Sequence, residues 1–146
     1  MAKTKAISLY QPWASWISEG IKTVETRTHN RFNGLVGQRI AIHAGKQTDE
    51  KAWWLAEKFL ESPRREQAFK IFMNQPTLPL GAIVCTAYVI EGGWICKETS
   101  GLYEHEALIE CSQTRRFGLW LEGIHKLDKP VPCRGKQGIF EVEIRE

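Results

Sequence analysis

One stretch limits what this chain can become more than any other: SLYQPWASWISEGIKTVETR, residues 8–27. Pro12 suits the first position of a helix, where its missing N–H would have no partner and its φ is already helical. Trp13, Trp16 and Ile17 recur at i, i+3 and i+4, which makes one apolar face. Gly20 supplies the positive φ that commonly ends such a helix. Lys22, Glu25 and Arg27 then fall within six residues. Strand alternation puts Glu25 and Arg27 on one face and Val24 and Thr26 on the other. Lys22, at the turn into this strand, is close enough to join the charged face. The fold must therefore bury a Trp-rich helix and gather three charges beside it.

Around this stretch the pattern is mostly that of strands. Residues 5–9 read as a first strand and lead into the helix. After the charged strand, THNRFNGLVGQ is polar and Gly-rich, an exposed loop carrying His29 and Arg31 with Arg39 just after it. Residues 39–44 alternate as a strand, with Ile40 and Ile42 opposite Ala41 and His43, and Gly45-Lys46 ends it. Thr48 is a good N-cap for an amphipathic helix over 49–61, whose Asp49 and Glu50 suit the positive end of the dipole. Ser62-Pro63 breaks that helix and starts another through Ala68, Phe69 and Phe72. Trp53 and Trp54 are adjacent, so they face different ways: one packs and the other covers the barrel edge. Residues 81–91 are apolar on both faces, a strand buried on both sides, with Gly92-Gly93 as its end. A short helix is expected within 104–110 and a strand over 117–122, with Phe117, Leu119 and Leu121 opposite Trp120. IHKLDKPVPCRGKQG reads as a Pro- and Gly-punctuated connection. Phe140, Val142 and Ile144 alternate in a closing antiparallel strand.

Five or six mostly antiparallel strands, a short N-terminal helix and a helical insert around 48–75 make a single α+β domain of 146 residues, centred on a small β-barrel. No apolar run approaches the roughly 18 residues of a membrane span. MAKTKAIS lacks a signal-peptide core, so export is not expected. Cys85, Cys96, Cys111 and Cys133 are too scattered for the paired ligands of a zinc site, so no metal and no cofactor is expected. Thiols in a reducing cytoplasm are the reading these positions support. The net charge of +3 is unevenly spread. Residues 1–46 carry +5, 47–114 carry −4, 115–136 carry +4 and the last ten −2. If the two positive blocks meet in space they form a basic face suited to phosphates. Otherwise they are ordinary solvated charges.

The pattern Gln11-Pro12-Trp13-Ala14 followed by Gly20, Lys22, Glu25 and Arg27 resembles the ASCH domain family, of the PUA-like superfamily of small β-barrels. Ile42-His43-Ala44, the 117–121 strand, Lys129-Pro130-Val131-Pro132 and Gly135-Lys136-Gln137-Gly138 extend the resemblance over nearly the whole chain. It implies a PUA-like barrel with a cleft beside the first helix, lined by Lys22, Glu25 and Arg27. In that family RNA binding, or sometimes DNA binding, is the usual proposal. Some small relatives hydrolyse an acylated modified nucleoside, and ribonuclease activity has been attributed to others. The hydrolases use a Lys, a Thr three residues later and a later Glu. Lys22 matches the Lys, but Glu25 stands at the Thr position, with Thr23 and Thr26 displaced by one. Glu104 and Glu106 are the candidate later carboxylates.

Read as chemistry, Lys22 and Arg27 can neutralise phosphate, and Glu25 can position them, accept from a base edge or act as a general base. A structural ion-pair cluster is the plainer alternative. Trp13 and Trp120 are candidate stacking surfaces for an unpaired base, with core packing the alternative. Gln11 is a candidate base reader, Lys46 and Arg116 are candidate phosphate contacts, and His43 reads better as a structural histidine. The expected function is binding of RNA, or of a nucleotide, in a basic cleft. The enzyme alternative is a hydrolase of a modified nucleoside or of RNA, with Lys22 and Glu25 as the reactive pair. A third reading is a regulatory module that holds a protein partner of unknown identity through the insert.

Overall fold

The computed structural model describes residues 3–96, 98–109 and 115–144. Cys111 and the far end of the expected 104–110 helix lie outside them. β1 (Lys3–Gln11) runs into α1 (Trp13–Ser18), and β2 (Val24–Arg27) carries the charges. β3 (Arg39–Thr48) is followed by α2 (Ala52–Phe59) and α3 (Arg64–Met73). β4 (Ala82–Ile95), α4 (Glu104–Ala107), β5 (Arg116–Pro132) and β6 (Phe140–Glu143) complete the chain. The strands form one sheet in the order β2-β5-β4-β3-β1-β6, curled into a half-barrel. All neighbours are antiparallel except β1 and β3, which run parallel with Ile7 beside Ile42 and Ser8 beside His43.

The concave face closes over one core. Ile7, Leu9, Ile40, Ile42, Val84, Val89 and Leu119 meet there, and α1 plugs the open end with Ala14 and Ile17. Trp16, on the next face of the same helix, packs into a second cluster with Ala52, Ala56, Phe59, Leu60 and Ala68 of the helical insert. The Trp16 indole N–H donates to the carbonyl of Ala68 at 3.2 Å, so this buried polar atom is satisfied. Thus α1, six residues long, joins the barrel to the insert.

Several boundaries differ from the sequence reading, each for a local reason. Pro12 caps α1 rather than opening it, and Gln11 Oε1 accepts from the amide of Ser15 at 2.9 Å. β3 continues through Gly45-Lys46 to Thr48, which pairs with Gln11. The helix expected from residue 49 begins at Ala52, because Asp49 is drawn away to the Trp13 indole at 2.9 Å. Gly92-Gly93 does not end β4. The two glycines pair with Leu119 and Gly118 of β5. A Cβ on Gly92 would lie 2.8 Å from Asn33 Oδ1, so the glycine permits a close approach rather than a turn. The expected connection after residue 122 is also strand, to Pro132. β2 covers only residues 117–120 of β5, and the exposed edge beyond tolerates prolines that an inner strand would not. Trp53 packs on Phe69 and Phe72, while Trp54 faces solvent at 70% exposure. Among the described residues no helix is long and apolar enough to cross a membrane.

Ile42 sits at the centre of the parallel pair with no exposed surface. Ile42→Ala should lower unfolding free energy by about 2–5 kcal/mol in urea titration; a loss below about 1 kcal/mol would place the core elsewhere.

Candidate functional site

The turn after α1 and the β2 strand that follows direct Lys22, Glu25 and Arg27 into a recess of about 760 Å³. Lys22 is the deepest of them at 2% exposure. Its ammonium donates to the carbonyls of Val24 and Ala107, both at 2.7 Å, and lies 3.4 Å from Glu25 Oε1. Three acceptors meet three N–H donors, so the buried cation is satisfied by the protein itself. Burial pulls the Lys22 pKa below its ordinary 10.5, with the Glu25 carboxylate opposing that shift. The other oxygen of Glu25 is 3.4 Å from Arg27, whose guanidinium also donates to the carbonyl of Ser8 at 2.9 Å. β6 pairs with β1 only as far as Ala6, so Arg27 serves the strand edge just past the end of that pairing. Arg116 donates to the hydroxyl of Thr26 at 2.8 Å and to its carbonyl at 3.2 Å. Trp13 forms a wall, held at Asp49 and lying over the Lys22 ammonium at 5.2 Å.

Ser8, Tyr10, Arg27 and His29 also line a second, larger groove of about 1550 Å³, which makes the two a continuous depression. His43 fixes its floor. A carbonyl can only accept, so the His43 Nε2 that meets the Cys133 carbonyl at 2.9 Å carries the proton. Nδ1 therefore accepts from the Ser8 hydroxyl at 3.0 Å. This ties the β5–β6 loop to β1 and β3. Gly135 lies so close over the imidazole that a Cβ would approach Cε1 to 2.6 Å. His43 thus acts as the structural histidine the sequence favoured, and it positions Arg134 and Lys136.

The structure gathers Trp13, Lys22, Glu25, Arg27 and Arg116 around the recess, and places Lys46 in the adjoining groove. Gln11 and Trp120 lie outside both. Gln11 is fully buried, with its Nε2 donating to the Pro79 carbonyl at 2.9 Å and its Oε1 held by Ser15. Trp120 packs edge-on against Tyr103 on the convex side, beside Val24 and Ile95. Glu104 and Glu106 do not line the recess, although the Glu106 carbonyl accepts from the Thr23 amide at 3.0 Å. Tyr10, Arg134 and Lys136 were not singled out from sequence. The period-two step from Ser8 to Tyr10 and the two cations flanking Gly135 were the available signals. Cys85, Cys96 and Cys133 are free thiols, with Cys85 pushed up to about 12 by burial. Among the described residues no group of three His, Cys, Asp or Glu converges as a metal site.

Lys22→Met keeps the apolar stem but strands two carbonyls and half of Glu25's compensation. We expect a loss of about 3–5 kcal/mol in denaturant unfolding; a neutral result would show that the ammonium is dispensable to the floor. Titration follows as well. Native Lys22 gives up its proton below 10.5 while the unfolded chain holds it, so its contribution to stability rises with pH across that window. NMR of the lysine ammonium groups should show one titrating below the rest, and that signal should vanish in Lys22→Met.

A family model described as the ASCH domain matches residues 7–125. Three solved structures of an ASCH protein from Zymomonas mobilis share the fold. A serine-to-alanine variant superposes with a TM-score of 0.60 at 17% identity, covering 95% of this chain and 87% of that one. The unsubstituted protein gives 0.59 at 16%, with the same coverage. A tyrosine-to-phenylalanine variant gives 0.58 at 16%, covering 95% and 89%. The matched residues include α1, the charged strand and most of the sheet, and on that extent of agreement this chain belongs to the ASCH domain family.

Proposed function

We propose that the chain binds RNA by taking an unpaired nucleotide into the recess beside α1. The observation that carries this reading is the recess itself: an indole wall, two guanidinium groups and a buried carboxylate facing one space. Trp13 offers a π-face to a base, an interaction that serves any sequence and contributes roughly 1–3 kcal/mol per base. Glu25 accepts hydrogen bonds from amino or imino groups on a base edge. Arg27 and Arg116 are the phosphate contacts, since the donors of Lys22 are already used within the floor. Lys22 acts through Glu25, as a positioning residue. A free nucleotide satisfies the same contacts, and so does single-stranded DNA, since none of them involves the 2′-hydroxyl.

A hydrolase of a modified nucleoside is the second reading, favoured by one observation: a lysine of lowered pKa touching a carboxylate in a recess. In it Glu25 takes a proton from water as the attack on an acyl carbon begins, and returns it to the leaving nitrogen.

Arg27→Gln should weaken single-stranded RNA about equally across sequences and make the log affinity–log salt slope shallower by about 0.7. Fluorescence anisotropy in a salt series reads both. Unchanged affinity and slope in a folded variant would remove the recess from binding. Incubation with acylated nucleosides, followed by mass spectrometry, decides the second reading: turnover that disappears in Glu25→Gln while RNA binding persists makes this an enzyme.

A further inference from the structure

The larger groove carries charge of one sign. Arg31, Lys46, Arg134 and Lys136 line it, all exposed, together with Arg27 and His29, and no carboxylate does. None of the four exposed cations has a carboxylate partner among the described residues. Three cations outside the groove do face acids: Lys3 and Lys5 lie opposite Glu143 and Glu141 across the β1–β6 pair, and Lys126 meets Glu19. The four come from both positive blocks of the sequence, brought together by the tie from His43 to the Cys133 carbonyl. At one end of the groove, partial burial and then the neighbouring Arg31 and Arg27 hold the His29 pKa below its ordinary value. At the junction of groove and recess stands Tyr10, an aromatic ring left 51% exposed on a strand that buries its other large apolar side chains, Ile7 and Leu9.

We infer that the ligand is a single-stranded polynucleotide, with one base in the recess, the next stacked on Tyr10, and its phosphates running along Arg31, Lys46, Arg134 and Lys136. This rests on the nucleic-acid reading above and narrows it, because a mononucleotide fills the recess and leaves the track empty. Entry of a base into the recess requires it to leave its helical stack, which a single strand permits at little cost. Four uncompensated cations along a groove match a backbone with a charge at every nucleotide better than they match one phosphate. Tyr10 adds a sequence-tolerant platform at the point where the chain must turn from recess to track.

The test is anisotropy with oligouridylates of increasing length, from the mononucleotide to about eight residues, in the range one small domain typically covers. Affinity should climb with length and then level, and the salt slope of the longest should reach about −4, at 0.7 for each of the two recess and four track cations. Arg134→Ala and Lys136→Ala, on an exposed loop, should each reduce that slope by about 0.7 and leave mononucleotide binding unchanged. Tyr10→Ala should cost the oligomer roughly 5- to 150-fold, with Tyr10→Phe close to the parent; circular dichroism confirms that each variant is folded. An oligomer that binds no tighter than the mononucleotide overturns the track while the recess reading stands. Equal losses of mononucleotide and oligomer on changing Arg134 or Lys136 overturn it too. If neither ligand binds, both readings fall.

Discussion

The buried ammonium of Lys22 is the contact on which the site depends. It joins the turn after α1 to β2 through the Val24 carbonyl and to α4 through the Ala107 carbonyl. A charge placed so deep is tolerable only because every donor has a partner and a carboxylate lies within 3.4 Å. From Glu25 the chain of ties continues to Arg27 and on to the Ser8 carbonyl of β1. One run of charge-assisted contacts thus crosses the open side of the half-barrel, where the sheet itself supplies no hydrogen bonds. The same contacts shape the recess, so its stability and its chemistry share the same atoms.

Two sets of cations differ in their partners. Lys22, Arg27, Arg39 and Arg116 donate to backbone carbonyls and hold strands and turns in place, and in the proposed complex Arg27 and Arg116 also meet phosphate. Arg31, Lys46, Arg134 and Lys136 stand exposed along one groove without carboxylates. A net charge of +3 conceals this division, because residues 91–110 carry five Glu against one Lys. A structural role for the first group is what lets the second remain unpaired: the floor is rigid without them. Such an arrangement suits a polyanion, whose binding releases counterions and weakens as salt rises.

Much of this was legible in the residues. The 3.6-period face of Trp13, Trp16 and Ile17 located α1, and the compact group Lys22, Glu25 and Arg27 located the floor. The charge blocks located the groove once the fold had brought 1–46 and 115–136 together. What stayed hidden depended on distant partners. The carbonyl that accepts from Lys22 lies 85 residues along the chain, so a phosphate contact and a buried tie looked alike. Gln11 and Trp120 had the right chemistry for a base, but alternation alone does not say which side of a curled sheet is concave. Gly92-Gly93 and Pro130 looked like breaks, because glycine's close approach to Asn33 and proline's place on a free edge are properties of neighbours. Tyr10 passed unnoticed for the opposite reason: only the finished surface shows that nothing covers it.

Amide chemical-shift mapping with a short oligouridylate tests the account most directly, because it reads position rather than affinity. The account predicts perturbations at Tyr10, Trp13, 27–31, 45–47 and 134–138, with Trp54, Phe69 and Met73 of the insert unmoved. Shifts confined to the insert, with Trp13 and the 134–138 loop silent, would contradict it.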